Sequence, residues 1–161
     1  MKKNLLIMGF IGLVSLFSNQ VKAQEKWGFV FAMYLENNGV NGGKTKIYVC
    51  DDVIDLTKLD CSLISKKNKF GTEKSKVDFY TECLTEWFKK KIKDYNLNEK
   101  YLTFSAVVKD YSKQYGCTYD NEQACFYQTK SSCLENYDKR IAQWKKDKEN
   151  GAFLAGLYIV N

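Results

Sequence analysis

The chain predicts an α+β fold: a mainly antiparallel four-stranded sheet with two helices packed on one face, held by disulfides. Three observations carry this expectation. Runs rich in β-branched and aromatic residues alternate with two long stretches whose apolar residues recur every three or four positions. Clusters of turn-forming residues separate these segments. Six cysteines, Cys50, Cys61, Cys83, Cys117, Cys125 and Cys133, all follow a segment with the make-up of an export signal.

The elements run β-β-α-β-α-β. Trp27 to Leu35 is a continuous apolar run with Trp27, Phe29, Phe31 and Met33 on one face and Gly28, Val30, Ala32 and Tyr34 on the other. Either both faces of that strand are covered, or one is covered and the other is lined with small groups. Asn37-Asn38-Gly39-Val40-Asn41-Gly42-Gly43 then forms a dense turn signal before Lys44 to Cys50, so the first two strands read as a hairpin.

Thr72 is the expected N-cap of a helix over Glu73 to Lys93, where Val77, Tyr80, Leu84, Trp87, Phe88 and Lys91 step around one side. Tyr101 to Val108 alternates imperfectly and reads as the third strand. Asp120 followed by Gln123 has capping-box spacing, and Phe126, Cys133, Leu134, Tyr137, Ile141 and Trp144 mark a second helix ending near Glu149. Asn150-Gly151 stops it. Phe153 to Val160, with Gly156 at its centre, has the composition of a buried strand filling a gap in the sheet.

At the N-terminus Lys2 and Lys3 supply a positive region, Leu5 to Phe17 an apolar one, and Val21-Lys22-Ala23 a small-residue cleavage site. The expected division is a signal peptide over residues 1–23 and one secreted or periplasmic domain over residues 24–161, beginning at Gln24. That domain has 138 residues, enough for a core of its own. The apolar run of 13 residues is shorter than a bilayer span of about 20. No membrane span is therefore expected after processing.

An even cysteine count in an exported chain points to paired thiols. The spacings of 11, 22, 34, 8 and 8 include no C-x-x-C, which excludes a thioredoxin-like pair and a paired zinc knuckle. The preferred pairing is Cys50 with Cys61 across the turn after the second strand, Cys83 with Cys133 between the helices, and Cys117 with Cys125.

Net charge is +6, but Lys2, Lys3 and Lys22 leave with the leader, so 22 basic residues then face 19 acidic ones, a balance of +3. A nucleic-acid binder needs a stronger and more clustered excess, because phosphate neutralisation supplies most of its affinity. Nucleic acid is excluded on that ground. The chain has no histidine, the commonest general base and metal ligand, so the familiar catalytic triads and most zinc sites are excluded as well. No cofactor and no metal site is expected. Asp51, Asp52, Asp55 and Asp60 share one loop, yet they lack the alternating spacing and central glycine of an EF-hand, and a solvated acidic loop accounts for them.

Candidate contact residues come from two basic clusters. Lys66, Lys67 and Lys69, with Lys74 and Lys76, precede the first helix; Trp87, Lys89, Lys90 and Lys91, with Lys93, lie in its last turns, where the helix dipole also favours cations. Together they offer one basic surface to another protein or an anionic envelope polymer. The leading functional expectation is an exported binding protein, of inhibitor or immunity type, with no catalytic residue. The alternative is a small carboxylate-dependent glycoside hydrolase acting on envelope polysaccharide, for which Glu82 and Glu86, one helical turn apart, are the pair to inspect.

Overall fold

The structure is a computed structural model that describes residues 24–36, 43–113, 117–151 and 154–161. The leader expected over residues 1–23, most of the turn expected at Asn37–Gly43, and Phe153 lie outside the described residues.

Among the described residues the architecture is α+β, with two α-helices and a curled, mixed sheet. The strands are β1 (Trp27–Glu36), β2 (Lys44–Cys50), β3 (Ile54–Asp55), β4 (Leu102–Val107) and β5 (Leu154–Val160); the helices are α1 (Lys76–Ile92) and α2 (Lys130–Glu149). β1 is the central strand. It pairs antiparallel with β2 from Phe31 opposite Val49 to Glu36 opposite Lys44, and with β4 from Phe29 opposite Val107 to Tyr34 opposite Leu102. The short β3 resumes the β2 side of the ladder at Trp27 and Gly28 after the chain breaks away at Asp51–Val53.

Two features of the sheet differ from the sequence expectation. β5 runs parallel to β2, so the sheet is mixed rather than mainly antiparallel, and β5 lies beyond β2 at an edge rather than in a gap. The helices also do not share a face. Phe29 and Phe31 meet Tyr137 and Trp144 of α2 edge-on, with ring centroids 5.5 and 4.8 Å apart. Ala32, on the alternate face, stands opposite Phe104 and Tyr48. Phe104 lies under Lys89 of α1, and Tyr48 meets Tyr95 just after α1. Since successive strand residues point to opposite sides, α1 covers one face and α2 the other. The physical reason is written in β1: Gly28 to Ala32 are buried at five consecutive positions, which requires cover on both sides.

Both helices also start later than their capping signals suggest. Thr72 does not cap α1, because Asn68 binds its hydroxyl and Glu73 is still bridged to Lys67 as extended chain. Ser75 takes the role, its hydroxyl accepting the Asp78 N–H at 3.0 Å. The helix expected to be capped by Asp120 is capped nine residues later, by Thr129, and begins at Lys130. Residues 119–125 instead form 3-10 turns broken at Asn121, and Phe126 and Tyr127 run extended to bridge Lys109 and Trp27.

The disulfide pattern corrects the sequence reading. Cys61 joins Cys83, Cys117 joins Cys125, and Cys50 and Cys133 are buried free thiols. The expected Cys83–Cys133 bridge fails because the sheet stands between α1 and α2. The expected Cys50–Cys61 bridge fails because Cys50 stays in the sheet, its Sγ accepting the Val30 N–H at 3.4 Å, while its carbonyl accepts the Tyr137 hydroxyl at 2.7 Å.

Burial pushes the Cys50 thiol up to about 11 and the Cys133 thiol up to about 12; the Tyr137 phenol is raised to about 12 by the same cause. Each group loses its proton more readily in the unfolded chain, so its stabilising contribution is complete below its ordinary value, 9.0 for the thiols and 10.0 for the phenol, and is lost as pH rises through the folded values. Denaturant titrations are expected to give falling stability between pH 9 and about 12. A flat profile there would contradict the burial. At neutral pH a thiol reagent is expected to find no reactive group in the folded protein and two after denaturation. Rapid labelling of the native form would show that the two thiols are accessible.

Candidate functional site

The segment between β3 and α1 is a built loop. Asp55 caps a 3-10 turn at Leu56–Lys58 and pairs with Lys58 at 3.0 Å. Asp60 accepts the Ser62 N–H at 3.0 Å, and the Ser62 hydrogen bonds hold the Asp60 carboxyl below its ordinary value. The Cys61–Cys83 disulfide then ties the loop to the middle of α1. Asp52 caps the Val53 N–H at 2.7 Å and pairs with Lys130 at 2.5 Å. Asp52, Asp55 and Asp60 thus serve turns and ion pairs, and no three His, Cys, Asp or Glu side chains converge among the described residues.

Beyond Cys61 the chain folds into a narrow hairpin. Lys67 bridges Glu73, the Lys74 N–H reaches the Lys66 carbonyl at 2.8 Å, and the Asn68 N–H reaches the Thr72 carbonyl at 2.8 Å. Asn68 organises the tip: its Oδ1 accepts the N–H groups of Phe70 at 2.9 Å and Thr72 at 3.2 Å. Gly71 closes the turn with φ of 82°, a conformation that glycine adopts without strain. The result is a loop fixed by a disulfide at its base and by side-chain and backbone hydrogen bonds at its tip.

This loop points apolar groups outward. Leu63 is 85% exposed and Phe70 78%, although each is large enough to belong in a core. The Lys69 ammonium lies 5.0 Å from the Phe70 ring centre. Lys66, Lys67 and Lys69 make no ion pair among the described residues, whereas Lys74, the next lysine along, is paired with Glu82. The expected residues Lys66, Lys67 and Lys69 therefore share one small protrusion with two apolar anchors that the periodicity argument passed over. A signal was present for one of them: Phe70 is an isolated apolar residue within a polar, turn-rich stretch that offers no strand or helix to bury it, whereas Leu63 is followed by a second apolar residue, Ile64.

The second expected cluster divides. Trp87 and Lys90 are four and seven residues beyond Cys83, hence on the side of α1 that carries the disulfide. Trp87 is half-buried, with Lys91 placed 5.6 Å over its ring. Lys89 turns the other way, pairs with Glu86 at 2.6 Å and lies 5.5 Å from the Phe104 ring over β4. Lys90 and Trp87 thus adjoin the base of the loop; Lys89 belongs to the other flank. Glu82 and Glu86 are each engaged by a lysine.

Among the described residues no helix is long and apolar enough to cross a membrane. No family model matches the chain, and no match is found among curated proteins or solved structures, so the geometry of this loop is what a functional reading rests on.

Proposed function

We propose that the chain is an exported, non-catalytic binding module of inhibitor or immunity type. It occupies a partner protein through the loop from Leu59 to Ser75, with Phe70 and Leu63 as anchors and Lys66, Lys67 and Lys69 as the charged rim. The observation that supports this reading most is the exposure of two large apolar side chains on a tightly bonded loop. Exposed apolar groups cost solubility, and ordering a loop in advance lowers the entropy lost on binding. A partner surface that receives Phe70 in an apolar recess rimmed by carboxylates satisfies both features.

The two disulfides and the make-up of residues 1–23 support an oxidising compartment, periplasmic or extracellular, as the site of action. The hydrolase alternative has less support, since Glu82 and Glu86 are paired on an exposed helix side.

The test compares the native oxidised protein with a Leu63→Ser, Phe70→Ser double variant in affinity capture from envelope extract. One stoichiometric protein is expected with the native chain and is expected to be lost with the variant, while melting temperature stays within about a degree or two. Retention of the same partner by the variant would remove the loop from the interface. Turnover of envelope polysaccharide without a captured protein would favour the hydrolase.

A further inference from the structure

β5 bonds to β2 along one side, and among the described residues no strand pairs with its other side. Its seven residues, Leu154 to Val160, include no charge and no proline. Proteins usually protect such an edge with lysine or proline, because unpaired N–H and C=O groups template another strand. The opposite edge of the sheet shows that protection: β4 has Lys89 leaning over Phe104, and Lys100 and Lys109 stand just beyond its ends. On β5, by contrast, Tyr158 is 39% exposed and Ile159 47%.

Two further details select an occupant. The register shifts between Thr45 and Lys46, where β2 moves from Leu154 to Gly156, so Ala155 is bulged and the regular edge is Gly156–Val160. A five-residue stretch pairing with its own copy in antiparallel fashion centres on its middle residue, Tyr158. On the same face Tyr95, Tyr48 and Tyr158 form a row, with centroids 5.3 and 4.8 Å apart, that stops at this edge. The Tyr158 ring lies back along its own strand: a Cβ at Gly156 would be 2.6 Å from it, so glycine alone leaves it room.

We propose that β5 is a self-association edge, and that its occupant is β5 of a second copy, paired antiparallel about Tyr158. A two-fold axis there sets Tyr158 beside Tyr158 of the other copy and joins the two three-tyrosine rows into one of six. It also places Leu157 against Ile159 of the other copy twice on the opposite face. Aromatic and β-branched cross-strand pairs of this kind are the stabilising contacts of sheets. The uncharged edge brings no like charges together, and the isologous contact closes at two chains rather than growing into a filament.

Sedimentation equilibrium and engineered cross-linking on the oxidised chain test this. A concentration-dependent species of twice the single-chain mass is expected, with Ile159→Lys weakening it on the order of tenfold or more, since each copy carries the lysine into an apolar pair. Tyr158→Cys is expected to form a disulfide-linked dimer, and Ile159→Cys, whose copies are offset across the axis, much less. These two variants leave the edge neutral, so they decide the case even where Ile159→Lys lowers stability. A single-chain mass up to millimolar concentration, or a dimer indifferent to Ile159→Lys, overturns the proposal. Cross-linking through position 159 in preference to 158 overturns its register.

Discussion

Phe29→Ala is expected to lower unfolding stability by about 3–5 kcal/mol, the usual cost of removing a fully buried phenylalanine. Phe29 is inaccessible to solvent, sits on the central strand, and meets Tyr137 edge-on at 5.5 Å. Its loss leaves a cavity between β1 and α2, and the surrounding strand is tied on both sides and has little freedom to collapse into it. The same cavity undercuts Tyr137, whose hydroxyl holds the Cys50 carbonyl. Urea unfolding of the two proteins measures the effect, and a loss below about 1 kcal/mol would mean that α2 is not packed on this face. Phe70→Ala provides the contrast: a similar volume removed from an exposed tip is expected to change stability by less than about 0.5 kcal/mol.

Cleaving the Cys61–Cys83 bridge, by paired substitution Cys61→Ser and Cys83→Ser, is expected to cost about 3 kcal/mol. The two residues are separated by 22 positions, and a closed loop of that length restricts the unfolded chain by roughly this amount. A second consequence separates the bridge from ordinary stabilisation. The bridge is the covalent link between α1 and the loop that presents Leu63 and Phe70, so on the proposed function its removal is expected to weaken capture of the partner even where the domain remains folded. Hydrogen exchange locates this effect: the amides of Phe70, Thr72 and Lys74, bonded within the hairpin, should exchange faster in the variant while those of β1 change little. Uniformly faster exchange would show that the bridge acts on global stability alone.

Elements with a strong local period were legible in the sequence. β1 and β2 declare themselves through alternation and the glycine-asparagine cluster between them, and their bounds agree with the reading to within a residue. The centre of α1 follows its apolar stripe, in which Leu84 and Phe88 are buried. What escaped was decided by long-range contacts. A capping side chain has several possible uses: Thr72 was drawn into the Asn68 turn, and Ser75 capped the helix instead. An amphipathic helix shows which of its sides is buried but not which side of a sheet receives it, and the cysteine pairing inherited that ambiguity. With α1 and α2 on opposite faces, Cys133 had no route to Cys83.

The candidate loop shows a different limit. The lysines were visible by charge, but Leu63 and Phe70 look like core residues in any composition-based reading, because hydrophobicity alone does not report exposure. Their meaning comes from the hydrogen bonds of Asn68 and the hold of Cys61, which keep the chain from folding them inward.

The β2–β5 ladder joins residues about a hundred positions apart, with the two helices and β4 in between. Closing so long a span precedes any reward from the contacts it makes, so maturation is expected to be slow relative to helical domains of similar size. The eight-residue span of Cys117–Cys125 is, by contrast, able to shut early. A newly made polypeptide with such an ordering is expected to join β5 to β2 last, after its local turns and helices have formed.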